Sequence, residues 1–98
     1  MEWTYIIRAA SRPRVMMRIA QVFDQQMVPM RQCLLLDHGQ GLDISVTIDV
    51  EEELALRIHA KLYKQQDIEN IELAAGRLPA MGKQLAGLRP AESEFSFD

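Results

Sequence analysis

The run LDISVTIDV, Leu42–Val50, alternates without a break. Leu42, Ile44, Val46, Ile48 and Val50 fall on one side, and Asp43, Ser45, Thr47 and Asp49 on the other. Only an extended strand brings every second residue to one face. The apolar face must meet a core, and the polar face is expected to meet water, as in an antiparallel sheet covered on one side. A parallel sheet buried on both sides would read as an unbroken apolar run. This one strand therefore points to a one-sided sheet.

The neighbouring segments supply the cover. In YIIRAASRPRVMMRIAQVF, Tyr5–Phe23, the period changes from two to about 3.6 at Ser11-Arg12-Pro13. A first strand is predicted from Trp3 to Ala10, with Trp3, Tyr5, Ile7 and Ala9 on one face and Thr4, Ile6, Arg8 and Ala10 on the other. A helix follows from about Pro13 to Gln26, with Val15, Met16, Ile19, Val22 and Phe23 inward and Arg14, Met17, Arg18, Gln21, Asp24 and Gln25 outward. Pro13 suits a first helical turn, and Ser11 or Arg12 then stands at the cap. A second strand is predicted over Val28–Asp37, its start marked by Pro29, which cannot donate to a ladder. Asp37–Gly41 reads as a hairpin turn leading into Leu42. Asp49 and Glu52 have capping-box spacing, so the acidic triplet Glu51–Glu53 reads as a helix start rather than a metal site. The second helix, about Val50–Gln66, turns Leu54, Ala55, Ile58 and Leu62 inward; Leu56 and Tyr63 lie at its edge as candidate partner contacts, and His59 packs at the border. A last strand is predicted over Asp67–Ala74.

Residues 1–75 thus form one domain. Residues 76–98, with Gly76, Pro79, Gly82, Gly87 and Pro90, read as a linker and mobile acidic tail, with a helical turn near Met81–Leu85. Phe95 and Phe97 in that tail read either as a docking segment or as inert, and inert is the simpler reading.

Composition narrows the function. A net charge of -3 with scattered basic residues argues against nucleic acid. Cys33 is the only cysteine, which rules out an internal disulfide or a CxxC pair and fits a reducing compartment. No apolar run reaches the length of a membrane span, and the first residues lack a signal-peptide pattern, so cytoplasm is the expectation.

The order strand, helix, strand, strand, helix, strand predicts an α+β, ferredoxin-like βαββαβ fold, with two helices on one face of a four-stranded antiparallel sheet. The open face is expected to carry Arg8, Arg31, Asp43, Ser45 and Thr47 beside apolar Ile6, Cys33 and Leu35. A half-apolar open face on so small a domain predicts a second copy of the chain as partner. The fold alone hosts many functions. Base-stacking aromatics are missing from the third strand, and paired metal-carrier cysteines are missing altogether. The loop between the first strand and the first helix is the place to hold a carboxylate, since a helix start presents free N–H groups. The same loop, with Arg12 and Arg14, keeps a phosphate-handling, acylphosphatase-like enzyme as a third reading, although no glycine-rich cradle accompanies it.

The segments SRPRVMMRIAQVFDQQMVPMRQCLLL, DISVTID and LYKQQDIENIEL together resemble the ACT domain, a small-molecule regulatory module, and within it the small regulatory subunit of acetolactate synthase. Val15, Arg18, Ile19 and Phe23 reproduce the family's first-helix pattern, V-x-x-R-I-x-x-x-F. The resemblance implies a non-catalytic accessory subunit in branched-chain amino-acid synthesis, homodimeric, acting on the acetolactate synthase catalytic subunit. Thiamine diphosphate, magnesium and flavin would belong to that partner, so this chain itself is expected to need no cofactor. It also implies a ligand site at Ser11, Arg12, Arg14 and Val15 of one protomer, facing Val28, Pro29 and Met30 of the other. Valine-sensitive members carry an asparagine, a glycine and a second asparagine about where Ser11, Arg14 and Pro29 stand here, and the short length matches the valine-insensitive type. Weak or absent valine binding is therefore expected. A second reading is a free-standing amino-acid-sensing ACT domain acting on another enzyme or regulator.

Overall fold

The computed structural model describes residues 1–77. The tail expectations at Met81–Leu85, Phe95 and Phe97 lie outside these residues. The elements run β1 (Glu2–Ala9), α1 (Val15–Gln25), β2 (Gln32–Asp37), β3 (Leu42–Asp49), α2 (Glu52–Tyr63) and β4 (Ile68–Ala75). The strands form one antiparallel sheet in the order β2-β3-β1-β4. This is the βαββαβ, ferredoxin-like arrangement that the periodicities predict.

The core lies between the helices and one sheet face. Tyr5, Ile7, Ile44, Val46 and Ile48 from the strands meet Val15, Ile19 and Phe23 of α1 and Ala55, Ile58 and Leu62 of α2, all buried. Tyr5 joins the layers. Its ring meets Phe23 edge-on, with centroids 5.5 Å apart, and its hydroxyl donates to the Ala55 carbonyl at 2.6 Å. The edge-on arrangement sets the positive rim of one ring against the negative face of the other. Trp3 Nε1 makes a parallel link, donating to the Val50 carbonyl at 3.1 Å.

The open face departs from expectation in two ways. First, β2 pairs Gln32 with Thr47, Leu34 with Ser45 and Leu36 with Asp43. Residues directly opposite share a face, so Gln32, Leu34 and Leu36 lie on the open side. Cys33 and Leu35, expected there, instead share the helix side with Val46 and Ile44. Second, the polar face of β3 is not wet. Asp43, Ser45 and Thr47 are only 1–2% exposed, and Thr4 beside them is fully buried. These are short side chains on central strands, overtopped by longer neighbours such as Ile6, Arg8 and Leu36. Buried polar groups need partners. Thr4 and Thr47 share a hydrogen bond of 2.9 Å, Thr4 Oγ1 donates to the Gly76 carbonyl at 2.7 Å, and Arg8 Nε donates to Asp43 Oδ1 at 2.6 Å.

Both helix starts also differ from the predicted caps. The residue at the α1 cap is Arg14, in the left-handed region at φ 72°, and no side chain caps that turn. Ser11, Arg12 and Pro13 precede it as loop. At α2 the cap position is Glu51, again without a side-chain bond. Asp49 ends β3 and binds the N-terminal amine at 2.7 Å instead. Glu52 and Glu53 remain in the first turn, where their charge opposes the helix dipole's positive end.

Candidate functional site

The β1–α1 loop brings Ser11, Arg12 and Arg14 together at one end of α1, but the Ser11 and Arg12 donors are already engaged from elsewhere in the chain. Ser11 Oγ lies 3.2 Å from each oxygen of Asp37, at the end of β2. The same carboxylate accepts the Gly39 N–H at 2.9 Å, so it ties the hairpin to the loop. Arg12 Nε stands 3.4 Å from Asp67 Oδ1, and Arg18 Nη2, one turn into α1, donates to Asp67 Oδ2 at 2.6 Å. The Ala10 N–H donates to the Asp67 carbonyl at 2.8 Å. Arg14 makes no ion pair among the described residues. Arg18, expected on the wet face of the helix, is thus turned back against the last loop. Val15 is core.

Val28, Pro29 and Met30 fall before β2, not within it, because the chain leaves α1 through a turn in which Met27 takes φ 58°. The Val28 N–H returns to the Phe23 carbonyl at 3.1 Å, and its side chain is buried. Pro29 and Met30 are exposed. With Met17, Phe23 and Asp24 they line a shallow hollow of about 440 Å³ on the outer side of α1. Arg14, Met17, Arg18 and Gln21 line a second hollow of about 520 Å³ toward the start of the helix. Met17 and Gln21 border both. Of the predicted ligand site, Arg14 thus lines one end of this shallow, methionine-lined helix face and Val28, Pro29 and Met30 line the other. Met17 is 63% exposed and Met27 89%.

The edge strand β2 exposes Cys33, Leu34 and Leu35 in succession. Edge strands of soluble monomers ordinarily carry charge or proline to discourage pairing. Leu56 and Tyr63, the predicted contacts on α2, are exposed as well, and the Tyr63 ring stacks on His59 at 6.5 Å. His59 is half-buried, in keeping with a packing role. Among the described residues no three histidine, cysteine or acidic side chains group as a metal site would need, and no helix is long and apolar enough to cross a membrane.

Asp67, Asp37 and Arg18 are the polar centres of this region that sequence reasoning does not single out as site residues. One signal existed. Asp67 is the lone acid between the polar run Lys64–Gln66 and the last strand, where a turn must fall.

No protein-family model matches the sequence, and no curated protein matches it. Solved structures do. The ACT domain from GTP pyrophosphokinase of Chlorobium tepidum, in its solution NMR structure, superposes with a TM-score of 0.69 at 15% identity, covering 79% of this chain and 89% of that one. The fold is that of an ACT domain. A formyltetrahydrofolate deformylase from Pseudomonas putida matches with a TM-score of 0.66 at 14% identity, over 78% of this chain and 29% of that one. The regulatory subunit of aspartate kinase from Thermus thermophilus matches with a TM-score of 0.60 at 11% identity, over 74% of this chain and 49% of that one. The ACT fold thus accounts for the placement of the β1–α1 loop beside β4, since those two strands are sheet neighbours.

Proposed function

We propose that this chain is a non-catalytic regulatory module of the ACT type, working as a homodimer on a larger enzyme, and that the enzyme is acetolactate synthase. The observation that carries the regulatory part is that this chain covers 89% of an ACT domain taken from a GTP pyrophosphokinase. The acetolactate synthase part is supported by the first-helix pattern Val15, Arg18, Ile19 and Phe23. Those residues occupy one continuous structural role: three pack in the core and Arg18 reaches the last loop. Two of the structural neighbours, the pyrophosphokinase and the aspartate kinase, belong to other enzymes, and this favours keeping the wider sensing reading as the second one.

Dimerisation would run through β2. A second copy pairing along that edge would cover Leu34 and Leu35 and bring the Pro29–Met30 end of one protomer toward the loop of its partner. The mechanism is differential binding: the dimer contacts one state of the catalytic subunit better than the other and shifts its population. The phosphate-handling reading is weakened because Arg12, although 69% exposed, is already paired with Asp67, and no glycine-rich cradle accompanies it. Affinity purification of the tagged chain from its native cell tests the proposal. Recovery of a thiamine-dependent catalytic subunit supports it, and recovery of a different enzyme in its place selects the second reading.

A further inference from the structure

We propose that Arg12 and Arg18 form a carboxylate-binding site which the chain fills with its own Asp67, so that the loop is held without any effector. The inference rests on the regulatory reading for its biological meaning, but its geometry stands alone.

Two guanidinium groups converge on one carboxylate, each on a different oxygen, at 3.4 and 2.6 Å. Arg18 makes the charge-assisted hydrogen bond, and Arg12, at 3.4 Å, adds an ion pair on the other oxygen. The site is not saturated. Arg18 Nε is buried with no hydrogen-bond partner, and Arg14 is close by in the chain without an acid of its own among the described residues. The Asp67 side chain is 13% exposed, against 36% for Arg18 and 69% for Arg12, so the carboxylate is sheltered while the Arg12 side of the pairing meets water. The backbone supports the same conclusion. Asp67 sits at φ 76°, and Arg14 across the loop at φ 72°. Aspartate enters that region more readily than most residues, and at Asp67 the Ala10 N–H on its carbonyl and the two arginines on its carboxylate fix the turn. Asp67 thus supplies the carboxylate that the Arg12–Arg18 pair would otherwise offer to a free anion. A chain built this way takes its loop conformation from an internal anion and has no need of a free one.

The test exploits the left-handed backbone at this position. Asp67→Gly removes the carboxylate and tolerates the positive φ, leaving the arginine pair without a counter-charge. Acetate is the probe, and chloride at equal ionic strength is the control. Thermal unfolding of the glycine variant should show saturable stabilisation by acetate, with acetate binding about tenfold tighter or more than in the native chain. Asp67→Asn keeps the shape and fills the space, so it should gain nothing specific from acetate. Equal responses to acetate and chloride in the glycine variant overturn the proposal. So does equal acetate binding by the native chain, or a glycine variant that stays unfolded in acetate as in chloride. None of these readouts involves a partner enzyme, so the site can fail while the regulatory reading stands, and the reverse.

Discussion

Replacing Tyr5 with phenylalanine isolates one hydrogen bond in the centre of the fold and gives it a pH signature. The ring is fully buried, and its hydroxyl donates to the Ala55 carbonyl at 2.6 Å. Tyr5→Phe keeps the edge-on contact with Phe23 and loses only that bond. The expected cost at neutral pH is about 1–1.5 kcal/mol, which for a domain of this size lowers Tm by roughly 4–12 °C. Burial pushes the Tyr5 phenol far above its ordinary value of 10.0. The sign follows from linkage. Below pH 10 the phenol is protonated in both folded and unfolded chains, and its contribution is fully present. Above pH 10 the unfolded chain releases the proton while the folded one keeps it, so native stability falls by about 1.4 kcal/mol per pH unit from this group. The phenylalanine variant lacks that loss. At about pH 11 the two effects are equal in size. Urea unfolding of both proteins at pH 7, 9, 10, 11 and 11.5 should therefore show a gap that is constant to about pH 9.5, closes near pH 11 and then reverses. A gap independent of pH would mean that Tyr5 ionises as freely in the folded chain as in the unfolded one, and the account of its burial would be wrong.

Two further outcomes follow from the surface. Leu35→Lys places a charge on the β2 edge and should weaken dimerisation by about a hundredfold or more, since both copies carry it; sedimentation at micromolar concentration reads this, and an unchanged dimer would move the interface elsewhere. Calorimetry with valine should give a Kd weaker than about 1 mM, near -4 kcal/mol, because the Ser11 and Arg12 donors face Asp37 and Asp67. Micromolar binding would show that those contacts yield to a ligand.

The sheet and its core were legible in the sequence because they rest on local periodicity. Leu42 to Ile48 alternate, and so do Trp3 to Ala9; each set of apolar residues lies in the core, and α1 and α2 bury the residues their spacing marks, with Met16 and Leu54 only partly covered. What failed was everything set by a tertiary partner. Cys33 and Leu35 were assigned to the open face from the strand's own alternation, but the face depends on register with β3, which local pattern does not contain. Asp43, Ser45 and Thr47 looked wettable because they are polar, yet Arg8, Thr4 and their longer neighbours seal them. Arg14 has no propensity for the left-handed region. It is there because the loop is pinned on both sides, by Arg12 and Ala10 at Asp67 and by Ser11 at Asp37. The candidate site shows the same division. Its loop was found from the change of period, whereas its electrostatics came from Asp67, more than fifty residues after Arg12 in the sequence.

The regulatory claim meets its most direct test in reconstitution. The acetolactate synthase catalytic subunit from the same cell would be assayed for acetolactate formation alone and with increasing amounts of this chain, in the presence and absence of valine. A saturable change in rate is expected that valine does not reverse and that the Leu35→Lys variant produces only at much higher concentration. A catalytic subunit whose rate is the same at every concentration of the chain would contradict it.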